Sequence, residues 1–413
     1  MPVARVLPLA PDPIRAAASL AGRPGRLLLW DARGGGRSYL ACDPIDEYHG
    51  LEPTRAGPMV AARSELDSAP AWFGVLPYEG RRELEGRARD GRGAPHWERP
   101  LWVRYDAVAE FVAGGVRVIG DDLQAVARLA RRLECPGGDP EGRLVPRAPT
   151  EAPAEHAARI RAALELIAQG RLYQVNLARR FDFALQGSPL AILARQGRRT
   201  RAPYGALFQL GERGLLSTSP ELFLRLDAGG RVLTAPIKGT RPRGGDAAAD
   251  VRLARELEAD PKEHAELSMV VDVERNDLGR VCAAGSVRVS GGYVTETHPT
   301  LHHRTAFVRG RLLPAMGRKE LLEAMLPSGS VTGAPKVSAM QVIARLEAER
   351  RGLYTGAFGV LRRDGGLELA MAIRTVSWCG DEAHYFAGGG IVADSDPDRE
   401  VSETLWKAVQ LGA

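Results

Sequence analysis

A segment rich in proline and glycine, running from Cys135 to Pro153, is the feature that most limits how this chain can fold. It has no apolar periodicity, which is typical of a linker between folded regions. It therefore predicts an N-terminal region of residues 1–134, a linker of residues 135–153 and a larger region of residues 154–413. A chain of 413 residues is long enough for two domains, or for one composite domain with an ample core.

The apolar pattern on both sides of this linker predicts a mixture of strands and helices. Before it, runs such as Arg26–Trp30 and Trp72–Tyr78 have the composition of strands. After it, residues 154–169 have apolar side chains at helical spacing and are followed by Gly170, a common helix stop. Strands, glycine-rich turns and helices then alternate to the end of the chain. The sequence therefore predicts an α+β protein.

Several classes of protein are disfavoured by composition. No stretch approaches the roughly 18 uncharged apolar residues that a membrane span needs. The four cysteines lie far apart without a C-x-x-C pair, which argues against a disulfide framework or a structural zinc and fits a reducing compartment. The arginines are scattered among acidic residues without aromatic interleaving, so nucleic-acid binding has little support. We expect a cytoplasmic protein that binds neither membranes nor nucleic acids.

Lysine and asparagine are scarce in this chain. Of 56 basic residues only five are lysines, and there are two asparagines, Asn176 and Asn276. Lysine can titrate or attack an electrophile and arginine cannot, so a lysine retained in such a chain can mark a chemical requirement. The alternative is that some of these residues are accidental, and their local context has to decide.

One such lysine, Lys238, lies in the sequence Pro-Ile-Lys-Gly-Thr-Arg, downstream of the Ser-Pro-Glu sequence that ends at Glu221. An apolar pair precedes the lysine and a Gly-Thr turn follows it. This context predicts partial burial and makes Lys238 a candidate nucleophile. The alternative is a lysine at a strand end whose ammonium group reaches water.

Two further segments place carboxylates on helical faces. Glu266 shares a predicted helical face with Val270, so it needs a cation, which would be a structural arginine or a metal. Glu400, Glu403 and Lys407 are spaced i, i+3 and i+7 on another predicted helix. A hard Mg²⁺ ion would relieve the repulsion between the two acids.

Two glycine-rich segments resemble nucleotide-binding motifs superficially. The run Gly388–Gly390 lacks the G-x-G-x-x-G spacing of a dinucleotide fingerprint, although it suits the close approach of an anion. In Gly-Ser-Val-Thr-Gly-Ala-Pro-Lys, the lysine Lys336 follows a proline, and Val337 occupies the position of the Mg²⁺-binding hydroxyl. The sequence does not support an NTPase.

Five motifs in order give the chain a strong resemblance to the chorismate-utilising enzymes. They are PIKGTRPR, AEL-x-M-x-VD-x-x-RNDLGRV, GSVTGAPK, AIRT and GGGIVADSDP-x-x-E-x-x-E. The resemblance is strong over residues 155–411 and weak in the N-terminal part. The family comprises anthranilate synthase component I, aminodeoxychorismate synthase component I, and the isochorismate and salicylate synthases. It implies large antiparallel β-sheets that form a sandwich flanked by helices.

The resemblance also implies roles for matching positions. Glu266, Glu400 and Glu403 resemble the Mg²⁺ site that holds the ring carboxylate. Glu221 resembles the general acid that protonates the departing 4-hydroxyl, and His303 resembles the active-site histidine. The implied substrate-binding residues are Gly239, Thr240, Thr332, Tyr354, Arg374, Gly388, Gly390 and Lys407.

The histidine assignment has alternatives. His302 is adjacent, so the register is open by one residue, and a structural role is the other interpretation. Relatives usually read His-Leu-Val-Ser where this chain has His303-Arg-Thr-Ala, and this departure weakens the assignment.

Two positions distinguish activities within the family. Enzymes that add water resemble one another in having a lysine base at the position of Gln174, so ammonia is the better expected nucleophile here. Lys238 stands where anthranilate synthases typically have alanine, and it resembles the covalent nucleophile of the enzymes that form 4-amino-4-deoxychorismate. The resemblance therefore implies amination of chorismate for p-aminobenzoate and folate synthesis. The alternative is anthranilate synthesis for tryptophan.

The resemblance implies partners as well. No segment resembles a glutaminase, so a separate glutamine amidotransferase subunit is expected to supply ammonia, and an aminodeoxychorismate lyase to consume the product. A catalytically silent regulatory relative that binds an amidotransferase is an alternative from another class. It would be expected to lack acid, metal or nucleophile positions, all of which are present here.

A last expectation concerns feedback. Tryptophan-regulated relatives place a Leu-Leu-x-Ser motif in the N-terminal region, and this chain has Trp30 or Asp31 where the serine would fall. The indole of Trp30 would obstruct such a pocket or fill it; alternatively, it simply packs in a sheet. Either interpretation predicts that free tryptophan does not bind.

Overall fold

The structure is a computed structural model that describes residues 2–8, 11–53, 57–60, 66–80, 96–135, 137–149 and 151–409. Within these ranges the strands form two large antiparallel sheets, one of twelve strands and one of ten. Helices and strands are numbered in chain order. The predicted α+β class and the predicted large antiparallel sheets are confirmed.

The twelve-stranded sheet contains residues from both ends of the chain. In spatial order its strands are β1 (Val3–Val6), β8 (Gly115–Gly120), β7 (Ala107–Val112), β3 (Ser38–Ala41), β2 (Arg26–Trp30), β11 (Tyr204–Leu210), β12 (Arg213–Ser219), β21 (Thr375–Cys379), β22 (Glu382–Ile391), β10 (Gln174–Gly187) and β18 (Gly333–Ala334), and β9 (Gly142–Pro146) also pairs with β10.

The ten-stranded sheet also combines strands from the N-terminal and C-terminal regions. Its strands, in spatial order, are β15 (Ile237–Pro242), β17 (Leu301–Arg311), β14 (Arg231–Ala235), β13 (Leu222–Leu226), β20 (Leu367–Met371), β19 (Ala357–Arg362), β5 (Pro70–Leu76), β6 (Leu101–Tyr105) and β4 (Pro44–His49), and β16 (Arg288–Thr297) also pairs with β17.

Helices cover the outer faces of these sheets. In the described residues they are α1 (Pro13–Ala18), α2 (Leu123–Leu133), α3 (Pro153–Ala168), α4 (Pro189–Thr200), α5 (Ala247–Ala259), α6 (Pro261–Gly279), α7 (Arg318–Met325), α8 (Lys336–Leu346) and α9 (Pro397–Val409). The helix predicted after the linker, α3, begins with a proline, and the Glu155 carboxylate accepts a hydrogen bond of 2.7 Å from the Ala152 amide. None of these helices combines the length and apolar composition needed to cross a membrane.

The two sheets pack face to face around a shared apolar core. Leu27 and Phe208 from the first sheet lie in one cluster with Phe73, Leu101 and Val360 from the second. Two further clusters fill the space between each sheet and its helices. This arrangement is the sandwich flanked by helices that the resemblance implies.

The predicted boundary after residue 134 does not separate the sheets. β2 pairs with β11, and β5 pairs with β19, so each sheet joins strands from both regions. Within the segment for which the sequence predicts a linker, β9 forms a strand whose Leu144 is buried in the core. The reason is that β9 forms backbone hydrogen bonds with the edge of β10. This pairing joins segments about 40 residues apart, so local composition does not reveal it.

Candidate active site

The Pro-Ile-Lys-Gly-Thr motif and helix α9 meet at the glycine run Gly388–Gly390 of β22. A Cβ atom at the third glycine would lie 3.5 Å from Nζ of Lys238, and one at the second would lie 2.7 Å from Oε2 of Glu400. The carbonyl oxygen of the first accepts a hydrogen bond of 2.7 Å from Nζ of Lys407. Because the run has no side chains, cationic and anionic groups approach its backbone from both faces.

Lys238 is presented by an irregularity in β15. The register against β17 shifts between Lys238 and Thr240, and Gly239 at this shift has φ 82°, a left-handed conformation that glycine adopts without strain. A bulge redirects neighbouring side chains, which explains why the lysine is half-buried at the glycine run. Leu257 and Glu263 lie within about 3 Å of the position that a Cβ at Gly239 would take, so the turn itself is closely packed.

Glu221 lies in a fully enclosed position at the junction of β12 and β13. Its Oε1 accepts a hydrogen bond of 2.9 Å from Oγ of Ser330. Burial raises the pKa of Glu221 to about 7, Glu274 adds to this rise, and Lys238 opposes it. A carboxyl group with such a pKa can hold a proton at neutral pH and release it, as a general acid must.

A second buried carboxyl is connected to Glu221 through two serines. Oγ of Ser328 lies 2.6 Å from Oε1 of Glu274 and 3.1 Å from Oγ of Ser330, and its single proton can be donated to only one of them at a time. The Gly329 amide also donates to Glu274 at 3.0 Å, and burial raises the pKa of Glu274 to about 7. Glu274, Ser328 and Ser330 were not predicted from the sequence. Glu274 and Ser330 lie inside two of the family motifs and Ser328 directly precedes one, which is the signal that could have found them.

The three predicted metal-ligating carboxylates lie close enough to influence one another. Burial raises the pKa of Glu266, and Glu400 contributes to that rise. Burial also raises the pKa of Glu400, and Glu403 contributes. For Glu403, burial opposes ionisation, but its 2.7 Å ion pair with Lys407 outweighs this and lowers the pKa. Neighbouring carboxylates thus disfavour the ionised forms of Glu266 and Glu400, and an added cation would relieve this repulsion.

The donor set of this cluster fits Mg²⁺ better than other common metals. All three side chains offer oxygen, which is the ligand type that Mg²⁺ prefers. Their oxygens do not all lie within 4.8 Å of one another in the described structure. Mg²⁺ usually retains waters and binds one or two protein carboxylates together with substrate oxygens, so this wider spacing is compatible with it.

His303 lies beside the turn that follows Lys238. Its Nδ1 is 3.0 Å from Oγ1 of Thr240, and burial, Arg374 and His298 lower its pKa to about 3. The ring is therefore neutral at physiological pH, and its buried Nε2 has no hydrogen-bond partner. His302 points elsewhere, with Nε2 2.9 Å from Asp250. The structure thus places His303, and not its neighbour, at the candidate site.

Arg374 and Tyr354 lie near the part of β22 that leads into the glycine run, beside Tyr385 and Phe386 respectively. The backbone of Arg374 is left-handed, with φ 50°. Burial lowers the pKa of its guanidinium group, and the nearby carboxylate of Glu221 partly opposes this shift. The buried ring of Tyr354 stacks on Phe386, with centroids 5.4 Å apart. Among the described residues, no carboxylate forms an ion pair with Arg374. A cation held there is suited to a substrate carboxylate.

Thr332 is placed differently from the other predicted substrate-binding residues. It is fully buried, and its hydroxyl donates a 2.8 Å hydrogen bond to the Ser328 carbonyl. Its own carbonyl accepts from the Asn176 amide at 2.7 Å. Its side chain therefore supports the loop that holds Ser328 and Ser330, and substrate binding by Thr332 stays a prediction.

The same loop is fixed from behind by a buried arginine. Arg351 donates to the carbonyl oxygens of Val331 and Asn176 at 2.9 Å and 2.8 Å, and it pairs with Glu347 at 2.6 Å. Lys336 is also accounted for, because it forms a buried ion pair with Asp277. The residues of the GSVTGAPK motif therefore have structural roles in this loop. Its lysine is engaged by Asp277 and is not available to bind phosphate.

Comparison with known proteins identifies the family. Residues 26–411 match the profile of the chorismate binding enzymes. The chain belongs to the chorismate-binding enzyme family. The family resemblance predicted from the five motifs is therefore confirmed.

Individual relatives have either of two names. Anthranilate synthase component 1 of Streptomyces coelicolor is 35% identical over 408 residues, covering 90% of this chain and 79% of the relative. Aminodeoxychorismate synthase component 1 of Salmonella typhimurium is 40% identical over 253 residues, covering 61% of this chain and 56% of the relative. The solved anthranilate synthase component I of Streptococcus pneumoniae superposes with a TM-score of 0.75 at 28% identity, covering 99% and 92% of the two chains. Similarity therefore does not choose between the two reactions.

Gln174 lies against the same glycine run in this chorismate-binding enzyme. Its side chain is buried, and a Cβ at Gly390 would collide with it. An amide is not a base, so this position offers no group that could deprotonate water.

A cavity of about 290 Å³ lies away from the glycine run and is lined by Trp30, Asp31, Tyr204 and Arg362 among others. The Trp30 ring is buried against the backbone of Gly197 in α4. Trp30 thus forms one wall of the cavity and leaves space beside it. The expectation that free tryptophan does not bind stays a prediction.

Proposed function

We propose that this chorismate-binding enzyme aminates chorismate at C4 and forms 4-amino-4-deoxychorismate. The position of Lys238 is the observation that supports this most strongly. Its ammonium group lies at the glycine run and near enough to Glu221, Glu266 and Glu403 to stabilise their ionised forms. A primary amine between a candidate general acid and a carboxylate cluster is suitably placed for covalent catalysis.

The proposed reaction has two displacements. Lys238, as the free amine, forms a bond to C2 of chorismate while the ring double bonds shift and the C4–O bond breaks. Glu221 gives its proton to the departing oxygen, which leaves as water. Ammonia then forms a bond to C4, the double bonds shift back and the C2–N bond to Lys238 breaks. The enolpyruvyl group stays on the ring, and each step is easier than one direct substitution.

The surrounding residues hold the substrate in this proposal. Glu266, Glu400 and Glu403 would hold Mg²⁺, which when bound would neutralise the ring carboxylate. Arg374 is the cation suited to another substrate carboxylate, because no acidic side chain pairs with it in the described residues. His303 is neutral, so it can donate or accept a hydrogen bond at the turn beside Thr240 without adding charge.

The source of ammonia follows from the same proposal. We expect a separate glutamine amidotransferase subunit to supply it and a lyase to convert the product to p-aminobenzoate. Anthranilate formation is the second candidate, because an anthranilate synthase component 1 aligns over 90% of this chain. That reaction would place nitrogen at C2 and release pyruvate, so the two products differ in mass.

Mass analysis of the products formed from chorismate, Mg²⁺ and ammonium tests the proposal. We expect a product that retains the pyruvyl carbons. Lys238→Ala should lose this product while chorismate binding persists, and Lys238→Arg should fail too, because a guanidinium does not deprotonate to attack. Lys319→Ala, on the exposed side of α7, is the matched control and should keep full activity.

Two results would contradict the proposal. Anthranilate and pyruvate as products would show that the second candidate is correct. Full activity of Lys238→Ala would show that ammonia attacks directly, and the covalent role would have to be abandoned.

A further inference from the structure

Glu274 is a buried carboxyl group that the proposed reaction leaves without a role, although it is connected to Glu221. Oε1 of Glu221 lies 2.9 Å from Oγ of Ser330. Oε1 of Glu274 lies 2.6 Å from Oγ of Ser328, and the two serine oxygens are 3.1 Å apart. An unbroken row of four oxygen atoms, with three contacts of hydrogen-bonding length, therefore joins the two carboxyl groups.

The number of protons in this row follows from its geometry. Three hydrogen bonds need three protons, and the hydroxyls of Ser328 and Ser330 supply one each, so the third must come from a carboxyl group. If both carboxyls were ionised, one of the three contacts would contain no proton. If both were protonated, one proton would be left over in a buried position. One protonated carboxyl therefore satisfies the whole row.

The proton can lie at either end of the row. When Glu221 is protonated, it donates to Ser330, the serines donate in turn, and ionised Glu274 accepts. When Glu274 is protonated, every hydrogen bond runs in the opposite direction. The two arrangements contain the same number of hydrogen bonds. Conversion between them moves one proton across each contact and leaves both serines as neutral hydroxyls.

Basic groups face the Glu221 end of the row. The ammonium group of Lys238 in β15 favours the ionised carboxylate, and so does a hydrogen bond from the backbone of Ile237. Arg374 is also near, because the charge of Glu221 partly opposes the lowering of its pKa by burial. While Lys238 is protonated, the proton of the row is therefore favoured at the far end, on Glu274. When Lys238 is the free amine of the proposed reaction, this preference is lost.

The Glu274 end has a comparable environment. Lys336 in α8 favours the ionised carboxylate, whereas Asp277, about one turn further along α6, opposes it. The Gly329 amide donates a 3.0 Å hydrogen bond to Oε1. Burial raises the pKa of Glu221 and that of Glu274 to about 7. Neither end therefore holds the proton much more strongly than the other, as transfer in both directions requires.

Anchoring of the loop between α7 and α8 is the competing explanation. Oγ of Ser328 accepts a 3.1 Å hydrogen bond from the Ser330 amide, so this hydroxyl does support the loop. A glutamine at position 274 would accept the same bonds, however, without the cost of a buried ionisable group. Anchoring also does not explain the contact between the two serine oxygens, which is a hydrogen bond only if a carboxyl group adds a proton to the row.

We propose that Glu221 and Glu274 share one proton through Ser328 and Ser330, and that Glu274 thereby stores the proton of the general acid. The proposal rests on the proposed function through the role of Glu221, and on no choice between the two products. Glu274 acts through Glu221 and is therefore a positioning residue.

Protons balance over the reaction. Glu274 passes its proton to Ser328, each serine passes its own proton onward, and Glu221 becomes protonated. Glu221 then gives this proton to the departing oxygen, which leaves as water. Ammonia has one proton more than the amino group it becomes on the ring, and that proton restores the one that the two carboxyls share.

Infrared difference spectra of the substrate-free enzyme at neutral pH, with ¹³C-labelled glutamate to identify the bands, test the sharing. We expect one protonated carboxyl for this pair in the wild type. Glu221→Gln and Glu274→Gln should each lose most of that band, because removal of one negative charge lowers the pKa of the remaining carboxyl. Two protonated carboxyls, none, or a band lost in only one of the two variants would overturn the proposal.

The kinetics of Ser328→Ala test the transfer, because this variant keeps both carboxyls and the bond between Ser330 and Glu221. It should lower kcat at least about tenfold, a fraction of the roughly hundredfold or more that a general acid contributes, while KM for chorismate is unchanged. Ser38→Ala is the matched control, because Ser38 is also buried and accepts a 3.0 Å hydrogen bond from a backbone amide, that of Asp31. The control should keep full activity.

Mixtures of H₂O and D₂O separate transfer from anchoring. In the unmodified enzyme, kcat should depend on the deuterium fraction with a curvature that indicates several moving protons, and in Ser328→Ala the dependence should be linear. A linear dependence in the wild type, or full kcat in Ser328→Ala, would overturn the proposal. If Ser328→Ala is fully active and Glu221→Gln is inactive, only the sharing of the proton fails. Full activity of Glu221→Gln would instead contradict the proposed function.

Discussion

Replacing Glu221 with glutamine should stabilise the folded protein at alkaline pH while abolishing catalysis. Glutamine has nearly the same shape, and its amide oxygen can still accept the 2.9 Å hydrogen bond from Ser330. What the substitution removes is the cost of ionising a fully enclosed carboxyl group. Burial is the main reason that the pKa of Glu221 rises from 4.5 to about 7.

The sign and size of the effect follow from this pKa. The folded-state value lies above the unfolded value, so between pH 4.5 and 7 the folded protein binds more protons, and its stability falls as pH rises through that interval. The ionisation cost of Glu221 is about 1 kcal/mol at pH 5 and about 3 kcal/mol at pH 8. Glu221→Gln should therefore gain roughly 2 kcal/mol more stability at pH 8 than at pH 5, relative to the wild type.

Urea-induced unfolding at both pH values, followed by fluorescence and circular dichroism, measures this difference. Glu258→Gln, on the exposed side of α5, is the matched control and should show no pH-dependent gain. Equal stability changes for Glu221→Gln at the two pH values would refute the reasoning. So would a loss of stability confined to pH 8, because either result would mean that Glu221 ionises without cost in the folded protein.

The remaining predictions concern the metal, the second carboxyl and feedback. EDTA and Glu403→Ala should each lower the initial rate at least about a hundredfold, and undiminished turnover in EDTA would contradict the metal assignment. Glu274→Gln removes a charge at most about 9 Å from Glu221 and should lower its pKa by roughly one unit. The loss of kcat with rising pH should then begin at lower pH, and an unchanged profile would show that the two groups are not coupled. Tryptophan at about millimolar concentration should neither change the rate nor produce calorimetric heat, because the buried indole of Trp30 already occupies part of the region where the sequence predicts such a site; inhibition would favour anthranilate synthesis.

Much of the candidate site could be predicted because its residues lie in short motifs. Glu400, Glu403 and Lys407 are positioned by one helix, α9, and the spacing of the sequence alone places them on one face. The glycine run and the Pro-Ile-Lys-Gly-Thr turn are likewise local features, since glycine content and turn chemistry depend on adjacent residues. Their meeting at one place was expected from the family resemblance, and the structure shows it through the contacts of Lys238 and Glu400.

The α+β class, the helix after the linker and the chemical character of each motif can be predicted from local sequence, because they depend on residues within a few turns of one another. The folded structure was needed to show that both regions share two sheets, since β-strand pairing joins segments that no local pattern connects. It also decided that Glu221 and Glu274 are linked through Ser328 and Ser330, and that burial raises both carboxyl pKa values. Burial and hydrogen bonding between distant segments exist only after the chain has folded, and these determine when a carboxyl group holds its proton.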